Sequence, residues 1–202
     1  MKKFILIIFI AVLTASCANF GRDYAYTNSD NVSVEKIDTA KVTRFMYQNA
    51  VIFNYNKDDF SNDTWVVSRI GVPKYRNRNG VYTYFSLYNG LVPTNFRFVF
   101  QYYDGDWLFI RQLRFNVDGE VFIVDCDCSR DNADGKIWEW FDTSVGPGYP
   151  ITEELVSAIA KANKVKVKII GNNYYTIKDL SLKEIDGIKY TYIFYKELGG
   201  VF

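Results

Sequence analysis

Residues 95–124 read NFRFVFQYYDGDWLFIRQLRFNVDGEVFIV, and this stretch decides the fold class. Phe96, Phe98, Phe100 and Tyr102 alternate with Arg97, Val99 and Gln101. A period of two is what a half-buried strand requires. Asp104-Gly105-Asp106 and Asp118-Gly119 interrupt the apolar runs. Asp-Gly between alternating segments is a strong hairpin signal, because these residues tolerate the positive φ of tight turns. The pattern predicts strands over 96–102, 107–115 and 120–126, an antiparallel meander spanning about residues 95–126.

Working outward toward the amino end, 50–55, 64–70 and 81–88 are rich in β-branched and aromatic residues and read as further strands. Asn56–Asp59, Pro73–Gly80 and Asn89-Gly90 separate them as turns. A short helix is expected within 34–47, with Ile37, Val42 and Phe45 on one face. Toward the carboxyl end, SRDNADG (129–135) reads as loop and SVGPGYP (144–150) as a breaker. Thr152 can cap a helix over 152–163, with Glu153 and Glu154 in its first turn and Lys161 near its end, as the helix dipole favours. Residues 164–170 alternate as a strand, 171–173 turn, and 174–177 pair back. Ser181 and Glu184 have capping-box spacing, opening a last helix from Leu182 toward Leu198 that stops at Gly199-Gly200. The fold class is therefore α+β, mainly antiparallel sheet with a C-terminal helix-strand-strand-helix segment.

The first twenty residues, MKKFILIIFIAVLTASCANF, differ in kind. Two lysines precede an apolar run from Phe4 to Leu13, which is shorter than the roughly 20 residues needed to span a bilayer. Small residues and Cys17 follow. This is the three-part layout of a secretory signal peptide. With a cysteine at the cleavage position it resembles the signal of bacterial lipoproteins, in a relaxed form: Leu13 stands one place further upstream than in the family's pattern, and Thr14 takes its position. The resemblance covers about a tenth of the chain. It implies removal of residues 1–16, diacylglycerol on the Cys17 thiol, acylation such as palmitate on the new amino group, and attachment to a membrane. Two or more acyl chains give stable anchoring where one is marginal. By the sorting rule of enteric bacteria, Ala18 after the cysteine implies the outer membrane. Ordinary secretion and a retained anchor are the competing readings. Residues 17–33 then form a lipidated, flexible tether, and 34–202 a single α+β domain.

Composition narrows the function. Of 202 residues, 49% are hydrophobic and 23% charged, and the net charge is +1. That is globular composition without the basic footprint of nucleic-acid binding. Sixteen Tyr and sixteen Phe read first as a β-rich core and second as a stacking surface. The chain has no histidine. Ser-His-Asp and Cys-His catalysis, histidine zinc sites and the usual neutral-pH base are thereby excluded. No catalytic constellation, cofactor motif or metal motif is complete.

Three local patterns remain as site candidates. Cys126 and Cys128 lie two apart and share a strand face. They read as structural thiols, as a disulfide, or as a redox or metal pair. Asp125, Asp127, Ser129 and Asp131 offer alternating oxygens for calcium, but the loop lacks the glycine and glutamate of an EF-hand. Trp138 and Trp140 share a face and suggest a ligand surface beside Arg130 or Asp142, or else core aromatics. Arg111 and Arg114 are expected on opposite strand faces. The leading functional expectation is a lipid-anchored, non-catalytic binding or structural module of the cell envelope, with an envelope protein or glycan as partner. A carboxylate-dependent hydrolase of envelope glycans and an inhibitor or assembly accessory are the alternatives.

Overall fold

The computed structural model describes residues 38–202 apart from positions 76 and 134. Cys17, the signal segment and the tether lie outside the described residues. The elements are α1 (Thr39–Gln48), β1 (Phe53–Lys57), β2 (Asp63–Ser68), β3 (Gly80–Tyr88), β4 (Val92–Asp104), β5 (Gln112–Val117), β6 (Glu120–Asp125), β7 (Ser129–Ala133), β8 (Lys136–Ser144), α2 (Glu153–Lys161), β9 (Val165–Ile170), β10 (Tyr175–Asp179) and α3 (Leu182–Glu197). The strands form two antiparallel sheets. One has six strands in the order β1-β2-β3-β4-β8-β7, the other four in the order β10-β9-β5-β6. The fold is α+β, and the C-terminal helix-strand-strand-helix is present as read.

Local signals acted where both partners were near in sequence. Asp118 and Gly119 take φ of 48° and 105° and join Val117 to Glu120 in a two-residue hairpin, as tight hairpins demand. Thr152 caps α2, accepting from the Leu155 amide, and Ser181 and Glu184 complete the capping box of α3.

The meander is corrected in one respect. β4 pairs with β3 and β8, while β5 pairs with β6 and β9. Asp104-Gly105-Asp106 therefore carries the chain from one sheet to the other instead of closing a hairpin. Residues 107–111 are not strand, because Phe109 stands at φ 54°, which breaks the pleat. Residues 129–133, read as loop, are edge strand β7, paired along β8 from Ser129↔Trp140 to Ala133↔Lys136. Hairpin pairing with the adjacent β8, down to Ala133↔Lys136, overrides the weak strand preference of Ser, Asp and Asn.

The sheets meet through their apolar faces. Phe98 of the larger sheet packs edge-on against Phe115 of the smaller at 5.9 Å. α3 covers another part of the larger sheet's inner face. Phe194 stacks on Phe53 at 4.8 Å, and Tyr195 meets Phe85 and Phe96 edge-on. Gly187 explains how a helix with a glycine and β-branched residues near its centre seats so closely. A Cβ there would collide with the Ile70 carbonyl, so the helix lies backbone against backbone on the segment that follows β2. Gly187→Ala gains about 1 kcal/mol of helix propensity but must open this contact. We expect a net loss of about 1–2 kcal/mol, read from the midpoint of urea unfolding; a stabilised variant would show that the contact yields freely.

Candidate functional site

Alternation along β8 assigns opposite jobs to adjacent residues. Glu139 points inward and is fully buried. Its Oε1 accepts from the Leu108 and Phe109 amides at 2.7 and 3.0 Å, and its Oε2 from the Ile110 amide at 2.8 Å. Arg130 on β7, in register with Glu139, donates from Nε to Oε2 at 3.3 Å. A buried carboxylate is tolerated only when paired and hydrogen-bonded, and here both oxygens are occupied by the chain itself. Glu184 is used in the same way. It accepts from the Val81 amide at 3.0 Å and from the Ser181 amide and hydroxyl, both at 2.8 Å, and it pairs with Lys178. These two carboxylates hold the fold.

Trp138 and Trp140, flanking Glu139, point to the opposite, outer face of the larger sheet. Their rings stack at 3.9 Å with 20° between planes. Register places Tyr103 beside Trp138, Gln101 beside Trp140, and Tyr82 and Val99 in line with Asp142. Tyr84 and Trp65, which meet edge-on at 5.4 Å, extend the same face. All six of these rings are half-buried. Polar groups lie between them. Asp142 accepts from the Tyr84 hydroxyl and from Arg97 Nε, each at 2.9 Å, and Arg97 Nη1 donates to the Ser144 hydroxyl at 3.1 Å. Gln101 Nε2 donates to the Tyr82 hydroxyl at 3.1 Å. Burial, and then the Asp142 carboxylate, push the Tyr84 phenol up to about 12. Burial alone would lower the Arg97 pKa, but Asp142 outweighs it and raises the guanidinium. The face therefore carries a neutral phenol at Tyr84 and a fixed ion pair of Arg97 with Asp142. Trp138 Nε1 is buried without a hydrogen-bond partner, an omission that costs about 1–3 kcal/mol.

The sequence-derived candidates thus separate. Trp138, Trp140 and Asp142 share one face, whereas Arg130 lies on the other, against Glu139. The calcium alternative scatters. Asp125 ends β6 and accepts from Gln112 at 2.7 Å, while Ser129 and Asp131 lie on β7 in the other sheet. Among the described residues no three His, Cys, Asp or Glu side chains gather where they could hold a metal ion. Cys126 and Cys128 do come together, with Sγ atoms 3.9 Å apart and both thiols free.

Sequence reasoning also missed a feature of the smaller sheet. Arg111 and Arg114, expected on opposite faces, line one shallow pocket of about 370 Å³ with Gln112, Asp125 and Ile170. The strand begins only at Gln112, so alternation does not extend back to Arg111. On this outer face Val121, Ile123, Tyr175 and Ile177 are each 57–58% exposed. Ile123 and Ile177 stand in register with Arg114 and Lys168, Val121 shares a row with Lys166, and Lys168 Nζ lies over the Tyr175 ring at 3.7 Å. No family model, characterised protein or solved structure matches the chain. No described helix is long and apolar enough to cross a membrane.

Two outcomes follow for the buried carboxylates. Glu139→Gln removes the carboxylate partner of Arg130 and sets a neutral amide against three backbone donors, and should lower unfolding free energy by about 3 kcal/mol in urea titration; a loss below about 1 kcal/mol would mean that the clamp is dispensable. For Glu184, burial would raise the pKa, but Lys178 and Ser181 prevail and lower it. Its contribution is then fully present above the ordinary carboxyl value of 4.5 and lost as pH falls through the lower folded value. The stability gap between wild type and Glu184→Gln should accordingly narrow below pH 4.5; a constant gap would assign the effect to packing.

Proposed function

We propose that this chain is a lipid-anchored protein of the bacterial cell envelope, probing its surroundings as a non-catalytic binding module. The ligand surface is the outer face of the six-stranded sheet, and the ligand an envelope glycan. One observation carries this reading: Trp65, Tyr82, Tyr84, Tyr103, Trp138 and Trp140 line a single sheet face around Arg97, Gln101 and Asp142. Aromatic faces suit the apolar faces of sugar rings, and fixed donors and acceptors between them suit hydroxyls. Both buried glutamates are consumed in holding the chain together, which favours binding over carboxylate chemistry. Cys17 and the signal layout supply the anchor.

The assembly-accessory reading is favoured by a different observation, the exposed rows Val121–Ile123 and Tyr175–Ile177 of the smaller sheet. One set of variants separates the two. The lipidated protein is tested on arrays of peptidoglycan fragments, lipopolysaccharide glycans and capsular polysaccharides. Trp140→Ala should weaken the bound glycan about tenfold, the cost of losing one aromatic anchor, and Ile123→Asp should leave it unchanged. Absence of glycan binding, or the opposite ranking of the variants in partner capture, would discard the glycan reading. Cys17→Ala should release a folded protein from membranes; retention after a salt wash would discard the anchor.

A further inference from the structure

The segment from Cys126 to Cys128 links the end of β6 in one sheet to the start of β7 in the other and belongs to neither strand. The Cys126 amide donates to the Arg111 carbonyl at 2.9 Å, which fixes its near end. Cys128 is 3% exposed, Cys126 is half-buried, and their sulfurs stand 3.9 Å apart. Two inert core thiols need not face each other, nor need one of them reach solvent. Closure to a bond of about 2.05 Å asks for side-chain rotation and a small shift of three residues that no ladder constrains. With only two residues' separation the ring is strained, and strained disulfides are the labile ones.

We propose that Cys126 and Cys128 form a reversible dithiol–disulfide couple that exchanges with small or protein disulfides of an oxidising compartment. Exchange begins at Cys126, the accessible member. Its thiol loses a proton to water, and the thiolate attacks one sulfur of the incoming disulfide. The other sulfur leaves as a thiolate and takes up a proton. Cys128 then loses its proton to water and attacks the Cys126 sulfur, expelling the second thiolate, which is protonated in turn. One sulfur–sulfur bond forms within the chain and one is broken in the reagent. Two electrons pass from the protein to the reagent, which leaves as two thiols. The hydrogen bond to Cys126 and burial both raise the Cys128 thiol pKa. Cys128 therefore stays protonated and protected until Cys126 has reacted, which fixes the order of the two steps.

The test uses the full chain carrying Cys17→Ser, held in detergent and equilibrated with glutathione buffers from reducing to oxidising ratios. Samples are acid-quenched, unfolded, alkylated with a maleimide and weighed by mass spectrometry. The expected result is a single transition from two alkylated thiols to none. The peptide holding both cysteines should lose two hydrogens, and dithiothreitol should restore them. Cys128→Ser should stop at a glutathione adduct on Cys126. In native Cys126→Ser, Cys128 should react with maleimide at least tenfold more slowly than Cys126 does in native Cys128→Ser. Two free thiols at the most oxidising ratio, a glutathione adduct persisting in the two-cysteine chain, or a disulfide-linked dimer would each overturn the proposal.

Discussion

The fold depends on one buried charge. Glu139 sits at the centre of β8 with no exposure to solvent, and an uncompensated carboxylate there would cost several kcal/mol. Compensation comes from three consecutive amides, those of Leu108, Phe109 and Ile110, and from Arg130. The first three belong to the segment that leaves the larger sheet for the smaller one. The fourth belongs to the edge strand. A single carboxylate thus joins the crossing, the edge and the strand between them. Phe109 holds a left-handed conformation because its amide is drawn to the same oxygen as that of Leu108. The smaller sheet grips the segment from its other side. The Asn172 amide donates to the Leu108 carbonyl at 3.1 Å, and a Cβ on Gly171 would collide with that carbonyl.

Glu184 repeats the arrangement where α3 begins. It satisfies the orphan donors of its own helix start, and the same carboxylate reaches Val81 on β3 and Lys178 on β10. A local capping device has become a tertiary joint between helix and both sheets. With the two carboxylates so engaged, the polar chemistry facing solvent lies elsewhere. On the larger sheet, Phe85, Phe96, Phe98, Phe100 and Phe141 fill the inner face together with Tyr102, while Trp65, Tyr82, Tyr84, Tyr103, Trp138 and Trp140 occupy the outer one. The division is physical: phenols and indoles carry a polar handle and tolerate a half-wet surface, and phenyl rings do not need one.

Much of this was legible in residue order. The hairpin at Asp118-Gly119, the caps at Thr152 and Ser181, and the strand-turn-strand of 165–179 all rest on interactions between near neighbours. Alternation alone put Trp138 with Trp140; Cys126 and Cys128, expected on one strand face, do meet, but in a segment that belongs to no strand. Three features were not legible. Asp104-Gly105-Asp106 has the chemistry of a hairpin turn, and only the competing pairings of β4 with β8 and β5 with β9 direct it otherwise. Strand spacing suggests Arg130 beside the tryptophans, yet its place on β7 is set by the register of a strand that SRDNA does not announce. Arg111 and Arg114 meet in one pocket because the strand starts between them, at a boundary made by Phe109.

By itself the sequence determined most of the elements, β7 and residues 107–111 excepted, the faces of the strands that alternate and, through residues 1–17, the expectation of export and anchoring, since each depends on local periodicity, capping or composition. Only the tertiary structure decided which strands share a sheet and which residues share a surface. Those outcomes turn on contacts such as Glu139 with the amides of 108–110 and Glu184 with Val81. A buried charge selects its partners by proximity in space, and no spacing along the chain records that choice.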